Sequence, residues 1–465
     1  MTPLTQEVEV ATRGRAYLAT LAGCRATVVG LAKSGIAAAR LLAAAGAHVH
    51  GTDAKPLAAL PPEALALQRD GVRLVDGPTA FDGVELVVVS PGVPADGEQL
   101  AAARARMVPV IGELELAWRA MEAETIAITG TNGKTTTTAL TGALLAEQSR
   151  PVFVGGNIGT PLAERALDFP AAGLVVAEVS SFQLETIETF QPRVAAVLNV
   201  TPDHLDRHRT LARYVDAKAR IFMNQTAQDC AVLNADDEAT RELAARTRAH
   251  VLWFSRQRVL DHGVFVHDGW IVARLNGHAD RICPLADIHL RGAHNVENVL
   301  AATACALWTG IGIAAIRRAI ERFRAVAHRI EFVRDIAGVR FYNDSKGTNV
   351  ASTIKAIESF DERIVLIAGG KGKGQDFTPL ADAARRRVGH AVVIGEDGGR
   401  VAAALASRGI VVTAADTLAG AIESARAAAR PGDVVLLSPA CASFDMFNNY
   451  EHRGEVFKKL VEELA

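Results

Sequence analysis

Over the first hundred residues the apolar positions fall into short runs separated by Ala- and Leu-rich amphipathic stretches: ATVVG (26–30), SGIAAARLLAAAG, AHVHGTD and VELVVVS (84–90). Short apolar runs alternating with helical periodicity predict βαβ units. The rhythm ends near Gly112. GELELAWRAM then predicts a helix leading into a fresh strand, Thr125 to Thr129, and a second α/β unit follows with LVVAEVS (174–180) and AAVLNV (195–200). A more polar stretch, 224–290, carries shorter strand-like runs such as HVLWF and VFVHDGWIV. After Ala-rich helices ending near Phe323, a third alternation runs through VRFYND (339–344), IVLIAGG (364–370), AVVIG (391–395) and DVVLLS (433–438). Three α/β domains are expected, at 1–112, 113–325 and 326–465.

A chain of 465 residues with 49% hydrophobic and 22% charged positions has apolar material for several cores. Its 50 Lys and Arg against 52 Asp and Glu leave a formal charge of −2, so no global positive field exists to track a nucleic acid. Five scattered cysteines (Cys24, Cys230, Cys283, Cys305 and Cys441) form no CxxC pair, which argues against a disulfide framework or zinc knuckle and for a reducing cytoplasm. The first residues, MTPLTQEVEVATRGR, lack the basic-then-apolar order of a signal peptide. The uncharged run from Val299 to Ile316 is long enough to raise the membrane question. Its GIG at 310–312 predicts a break between two buried helices instead.

The sharpest local signal is IAITGTNGKTT (126–136), a strand running through glycines into a helix. In a phosphate loop the backbone amides of Gly130, Thr131, Asn132 and Gly133 approach an anion at the helix N-terminus. Lys134 then reaches the β and γ phosphates, and the hydroxyl of Thr135, ahead of Thr136, meets Mg²⁺. ATP binding is expected from this context, because Ile128 stands where the strict G-x-x-x-x-G-K-[ST] pattern requires glycine. A plain glycine turn capped by threonine is the competing reading.

Other polar residues gather at strand ends, where open α/β sheets bind ligands. Gly30-Leu-Ala-Lys-Ser-Gly35 follows the first strand and Asp53 ends the second. Ala32 replaces the middle glycine of a dinucleotide fingerprint, which disfavours NAD; another nucleotide and a packing-driven βα turn both stay open. Glu178 ends AEVSSFQLE, and NVTPDHLDRH brings His204 to the end of the next strand, so both face the loop as metal ligands or phosphate contacts. NDSKGTN (343–349), GGKGKGQDF (369–377) and SPACASFD (438–445) repeat the pattern in the third domain and suggest a small-molecule face.

With TGTNGKTT, GGNIG, EVSSFQLE, NVTPDHLDRH, YVDAKARI, GAHNVENVLAA, HRIEFV, NDSKGTNV and LLSPACASFD in this order, nearly the whole chain resembles the Mur ligase family. The SSFQLE and SPACASFD forms are similar to its glutamate-adding branch. The resemblance implies a Rossmann-like N-terminal domain binding the UDP-substrate, a central P-loop ATPase-like domain, and a Rossmann-like C-terminal domain binding the amino acid. It implies an ATP-dependent ligase that joins D-glutamate to the carboxylate of UDP-N-acetylmuramoyl-L-alanine through an acyl phosphate, in cytoplasmic peptidoglycan precursor synthesis, with no nucleic-acid or membrane partner and a monomeric chain.

Carried over by position, the resemblance implies Lys134, His204 and Lys218 as catalytic residues. Thr135 and Glu178 would hold one Mg²⁺, and Glu178 with His204 a second, supported by a CO₂-derived carbamate on Lys218. Asn295, Arg329 and Asp344 match contacts to adenine, phosphate and ribose. Lys346, Thr348, Lys373, Ser443 and Tyr450 match the glutamate pocket. Lys33, Ser34, Asp53, Ser90, Gly92, Asn157 and His204 match contacts to the UDP-muramoyl group. Two other readings compete. A folylpolyglutamate-type ligase shares the loop but fits poorly with a complete βαβ domain ahead of it, and a P-loop switch would hydrolyse ATP without an acceptor.

Overall fold

The computed structural model describes residues 12–77, 81–324, 326–372 and 374–464. The N-terminal eleven residues, residue 325 at the expected second boundary, and Lys373 lie outside the described residues. Among those described, twenty strands form three sheets, and the expectation of a three-domain α/β chain is borne out.

The first sheet contains β1 (Arg25–Val29), β2 (His48–Thr52), β3 (Arg73–Val75), β4 (Leu86–Val89) and β5 (Val110–Gly112). They pair in parallel in the order β3-β2-β1-β4-β5. Every residue of β4 is buried, as an apolar run covered by helices on both faces requires. Strand order reverses between β1 and β4, which opens a crevice at their C-terminal ends. Gly30 and Ser90 sit there, joined by a hydrogen bond of 2.9 Å from Ser90 Oγ to the Gly30 carbonyl. A Cβ on Gly35, in the following helix Lys33–Ala44, would lie 1.8 Å from that same carbonyl, so the helix can approach the strand only with glycine there.

The second sheet is built from β6 (Glu124–Thr129), β7 (Val152–Gly156), β8 (Leu174–Glu178), β9 (Val194–Val197), β10 (Cys230–Asn234), β11 (His250–Ser255), β12 (Gly263–His267), β13 (Trp270–Leu275) and β14 (His278–Pro284). Its order is β14-β13-β12-β11-β10-β9-β6-β8-β7, parallel as far as β12 and closed by an antiparallel meander. β6 therefore lies between β8 and β9, and the loops leaving all three strands emerge side by side.

The third sheet comprises β15 (Glu331–Ile336), β16 (Val339–Asn343), β17 (Ile364–Gly369), β18 (Val388–Ile394), β19 (Val412–Ala414) and β20 (Val434–Leu437), in the order β15-β16-β20-β17-β18-β19. Among the described strands of this sheet, β15 and β16 pair antiparallel and the other neighbours pair in parallel. One apolar cluster around Leu366 and Leu436 covers one face, and another around Ile367 and Leu437 covers the other.

By packing, the chain up to Pro284 forms a compact unit with Asn298–Ile320, and Leu285–Glu297 forms another with the residues from Glu321 onward. The run 299–316 is divided as expected: the helices Ala293–Trp308 and Ile313–Arg322 part around Gly310, whose φ of +84° stops the first. Among the described residues no helix is long and apolar enough to cross a membrane.

Candidate active site

The strand-turn-helix context predicted for the glycine loop is present. β6 ends at Thr129, Gly130 and Gly133 take positive φ of +149° and +86°, and the helix Lys134–Leu145 begins at once. The loop is fastened to the segment after β9. Thr131 N donates to the Asn199 carbonyl at 2.9 Å, Asn132 N to Asn199 Oδ1 at 2.9 Å, and Thr201 N to Thr131 Oγ1 at 3.0 Å. Lys134 lies over its own loop, its ammonium donating to the carbonyls of Gly130 and Thr131 at 2.9 and 2.8 Å.

Glu178, at the end of β8 and 2% exposed, accepts from Thr135 Oγ1 at 2.8 Å and from Asn157 Nδ2 at 2.7 Å. A carboxylate fixed beside a hydroxyl at the start of a phosphate-loop helix is a suitable donor set for Mg²⁺, which takes oxygen ligands and completes its shell with phosphate and water. Among the described residues no three His, Cys, Asp or Glu side chains converge. Lys218, on the helix Leu211–Ala219, is 1% exposed and also donates to the Gly130 carbonyl, at 2.8 Å. Burial, with the Lys134 ammonium nearby, pushes its amine well below the ordinary lysine range, against the opposing pull of Asp203 and Glu178. His204 adopts a left-handed backbone (φ +52°), its Nε2 lies 3.6 Å from Asp203 Oδ2, and its ring meets Phe182 edge-on at 4.9 Å.

At the first sheet's crevice, Asp53 accepts from the backbone amides of Leu31 at 2.6 Å and Lys55 at 3.0 Å. Asp53, Thr52, Lys55, Asp76, Phe81 and Gln99 line a cavity of about 490 Å³. Lys33 reaches the second domain, donating to the Gly159 carbonyl at 2.5 Å. Ser34 stands beside it in the first turn of the Lys33–Ala44 helix, and Gly92 follows Ser90 beyond β4.

The other compact unit holds the remaining residues. Asn295 is buried and donates to the Arg291 carbonyl at 2.6 Å. Asp344 directly follows β16 and is fully buried; Ser438 Oγ donates to it at 2.7 Å and Ile330 N at 3.3 Å. Burial raises its carboxyl to about 6, although the neighbouring Arg329 pulls the other way. Lys346 Nζ lies 3.4 Å from the Tyr450 hydroxyl and 5.1 Å from the ring centroid, Thr348 is half-buried, and Ser443 is buried.

Three family models match consecutive stretches of the chain. Residues 24–112 match the Mur ligase MurD-like N-terminal domain, 128–306 the Mur ligase middle domain, and 328–441 the Mur ligase glutamate ligase domain. Over 446 residues the chain is 48% identical to the UDP-N-acetylmuramoylalanine--D-glutamate ligase of Koribacter versatilis, covering 95% of this chain and 98% of that protein. The chain belongs to the Mur ligase family. A ligase of the same name from Acidobacterium capsulatum is 49% identical, covering 95% and 96% of the two chains. Solved structures share the Mur ligase fold at lower identity. A pseudomurein peptide ligase type C from Methanothermus fervidus superposes with a TM-score of 0.61 at 16% identity, over 95% of this chain and 100% of that one. UDP-N-acetylmuramate-alanine ligase from Thermotoga maritima gives 0.59 at 22%, over 94% and 99%.

Arg453 in this Mur ligase has no role assigned from the sequence. It is 1% exposed and donates to Ser345 Oγ at 2.9 Å, to the Ser345 carbonyl at 2.7 Å and to the Cys441 carbonyl at 3.2 Å. It thereby ties the NDSKGT loop to the SPACAS loop. Its signal lies in the spacing, since Arg453, Phe457 and Val461 recur at four-residue intervals on the buried face of the helix Tyr450–Glu462. Tyr214 sits within the YVDAKARI motif without a role drawn from it, yet it is buried with its hydroxyl 3.3 Å from Thr131 Oγ1 and its ring 4.4 Å from Lys218 Nζ.

Proposed function

We propose that this chain is the ATP-dependent ligase that joins D-glutamate to UDP-N-acetylmuramoyl-L-alanine in peptidoglycan precursor synthesis. The observation that carries the substrate assignment is the 48% identity over 95% of the chain to a ligase of that name. The phosphate-loop geometry supports the chemistry. A carboxylate is a poor electrophile, so the alanine carboxylate oxygen attacks the γ-phosphorus of ATP and ADP leaves. The glutamate amine then attacks the resulting acyl phosphate, loses a proton, and phosphate departs with the amide formed.

The protein's part is to neutralise charge and hold the reactants in line. Lys134 and the amides of residues 130–136 receive the phosphates. Thr135 and Glu178 would hold Mg²⁺, with Asn157 keeping the Glu178 carboxylate turned toward Thr135. Mg²⁺ would supply compensation for the negative charge on the transferring phosphoryl group. Glu178 with His204 is assigned to a second cation position, supported by Lys218. The neutral amine that burial favours at Lys218 is the form that reacts with CO₂, and the carbamate so formed is an anion able to support a cation.

Asn295, Arg329 and Asp344 are assigned to the adenosine and phosphate side of ATP. Lys346, Thr348, Lys373, Ser443 and Tyr450 are assigned to glutamate, and Lys33, Ser34, Asp53, Ser90, Gly92 and Asn157 to the UDP-muramoyl group. On this reading residues 1–112, 113–325 and 326–465 bind UDP-substrate, ATP and amino acid in turn, in a monomer that works in the cytoplasm. Phosphate release from ATP tests it. Release should require both UDP-N-acetylmuramoyl-L-alanine and D-glutamate, with kcat/KM at least about a hundredfold lower for L-glutamate, on the scale of one lost charge-assisted hydrogen bond. Release without an acceptor, or no preference between the enantiomers, would contradict it.

A further inference from the structure

His204 precedes a four-residue helical turn, Leu205–His208, and φ is positive on both sides of that turn: +52° at His204, which is left-handed, and +66° at Arg209. Neither residue is glycine. Such conformations persist only where the surroundings over-determine them. Two side chains of the turn supply that restraint.

His208 is buried between the rings of Phe182 and Tyr214, with centroids 5.5 and 5.1 Å away. Its Nε2 lies 2.9 Å from Ser181 Oγ and its Nδ1 3.5 Å from Glu185 Oε1. Arg207 occupies the other side. Its guanidinium lies 5.0 Å from the Phe182 ring centroid, and Nη2 donates to Glu185 Oε2 at 2.5 Å. The same group crosses to the first domain, where Nη2 donates to the Val93 carbonyl at 3.2 Å and Nη1 to the Gly92 carbonyl at 3.5 Å. Both partners belong to the loop that follows β4 and begins at Ser90. Glu185 thus holds His208 through one oxygen and Arg207 through the other, and Arg207 extends the cluster to the 90–94 loop.

We infer that Arg207 is a positioning residue that couples the seating of the UDP-linked substrate on the 90–94 loop to the placement of the His204 turn. It acts through Gly92, Val93 and Glu185. The inference rests on the reading given above, in which that loop contacts the UDP-muramoyl group. Arginine suits the position because its planar fork spreads donors over two nitrogens that reach a carboxylate and two carbonyls in fixed directions, whereas an ammonium gathers its three donors on one atom.

Steady-state phosphate release by the full chain, with each substrate varied in turn, tests this on Arg207→Ala, Arg207→Lys and Glu185→Gln, with Arg213→Ala as an exposed control on the next helix. Arg207→Ala should raise KM for UDP-N-acetylmuramoyl-L-alanine about tenfold or more and lower kcat, the scale of a lost charge-assisted hydrogen bond, while KM for ATP and for D-glutamate stays within about twofold. Arg207→Lys should fall between it and wild type, and Glu185→Gln should move the same KM in the same direction by less. A purely structural role would lower the melting temperature and shift all three KM values together or none, and that pattern overturns the inference. If Arg207→Ala does not fold, a wild-type KM for the UDP-substrate in Arg207→Lys overturns it equally. An active wild type with unaffected Arg207 variants refutes the coupling alone, whereas a wild type that releases no phosphate with this substrate pair refutes the functional reading and the coupling with it.

Discussion

Glu113 is placed where water cannot reach it, on the first turn of the helix Glu113–Ala120, and accepts from Ala163 N at 2.8 Å through Oε1 while Oε2 is buried without a hydrogen-bond partner. Burial raises its carboxyl from 4.5 to about 7; the amides of Ala163 and Leu162 oppose the shift and the nearby Glu164 adds to it. An acid with a raised folded pKa binds its proton more tightly when folded. Between pH 4.5 and 7 the unfolded chain therefore releases a proton that the folded chain keeps, and stability falls as pH rises through that window by about 3 kcal/mol at most. Glu113→Gln, which keeps an acceptor for Ala163 N, should be increasingly more stable than wild type from pH 4.5 to pH 7 and gain nothing further above. A melting-temperature difference that stays constant across that range would contradict this. Sequence periodicity could not find the residue: GELELAWRAM predicts a helix but gives no sign that two of its carboxylates, Glu113 and Glu115, are both buried. Glu115 is satisfied by Arg119 Nε at 2.6 Å and by the amides of Glu188, Thr189 and Phe190.

At the scale of elements, the glycine loop depends on backbone that only glycine adopts cheaply. A Cβ on Gly133, at φ +86°, would stand 2.2 Å from Asn298 Oδ1 on the helix Ala293–Trp308, so side-chain space and backbone conformation forbid substitution together. Gly133→Ala should lower phosphate release at least about a hundredfold and reduce the apparent melting temperature by a few degrees, since a misplaced loop no longer aligns the phosphates. Gly71→Ala is the comparison. That glycine has a similar φ of +83°, but a Cβ there would meet no atom within 4 Å, so the substitution should cost stability and leave turnover intact. Turnover lost equally in both variants would contradict the role given to the loop. Elements of this kind are legible in the sequence because their signals are local: a buried strand is an apolar run, and a phosphate loop is glycines between a strand and a helix. The placement of β6 between β8 and β9 is only partly legible, since it is set by pairing between residues some fifty to seventy positions apart. Arg207 and Arg453 are not legible as bridges, because their partners Val93 and Ser345 stand 114 and 108 residues away.

At the scale of the whole molecule, the proposed reaction activates the alanine carboxylate by phosphorylation before the amine attacks. Oxygen bookkeeping distinguishes this from ATP hydrolysis that merely accompanies binding. If the carboxylate attacks the γ-phosphorus, one of its two oxygens becomes the bridge of the acyl phosphate and leaves with phosphate, while the other stays in the new amide. UDP-N-acetylmuramoyl-L-alanine labelled with heavy oxygen in the alanine carboxylate, turned over with ATP and D-glutamate and analysed by mass spectrometry, reads that transfer directly. The predicted result is one labelled oxygen in each phosphate released and one retained in the amide of a product that has gained a glutamyl residue. Unlabelled phosphate, or phosphate released without the glutamyl product, would contradict it.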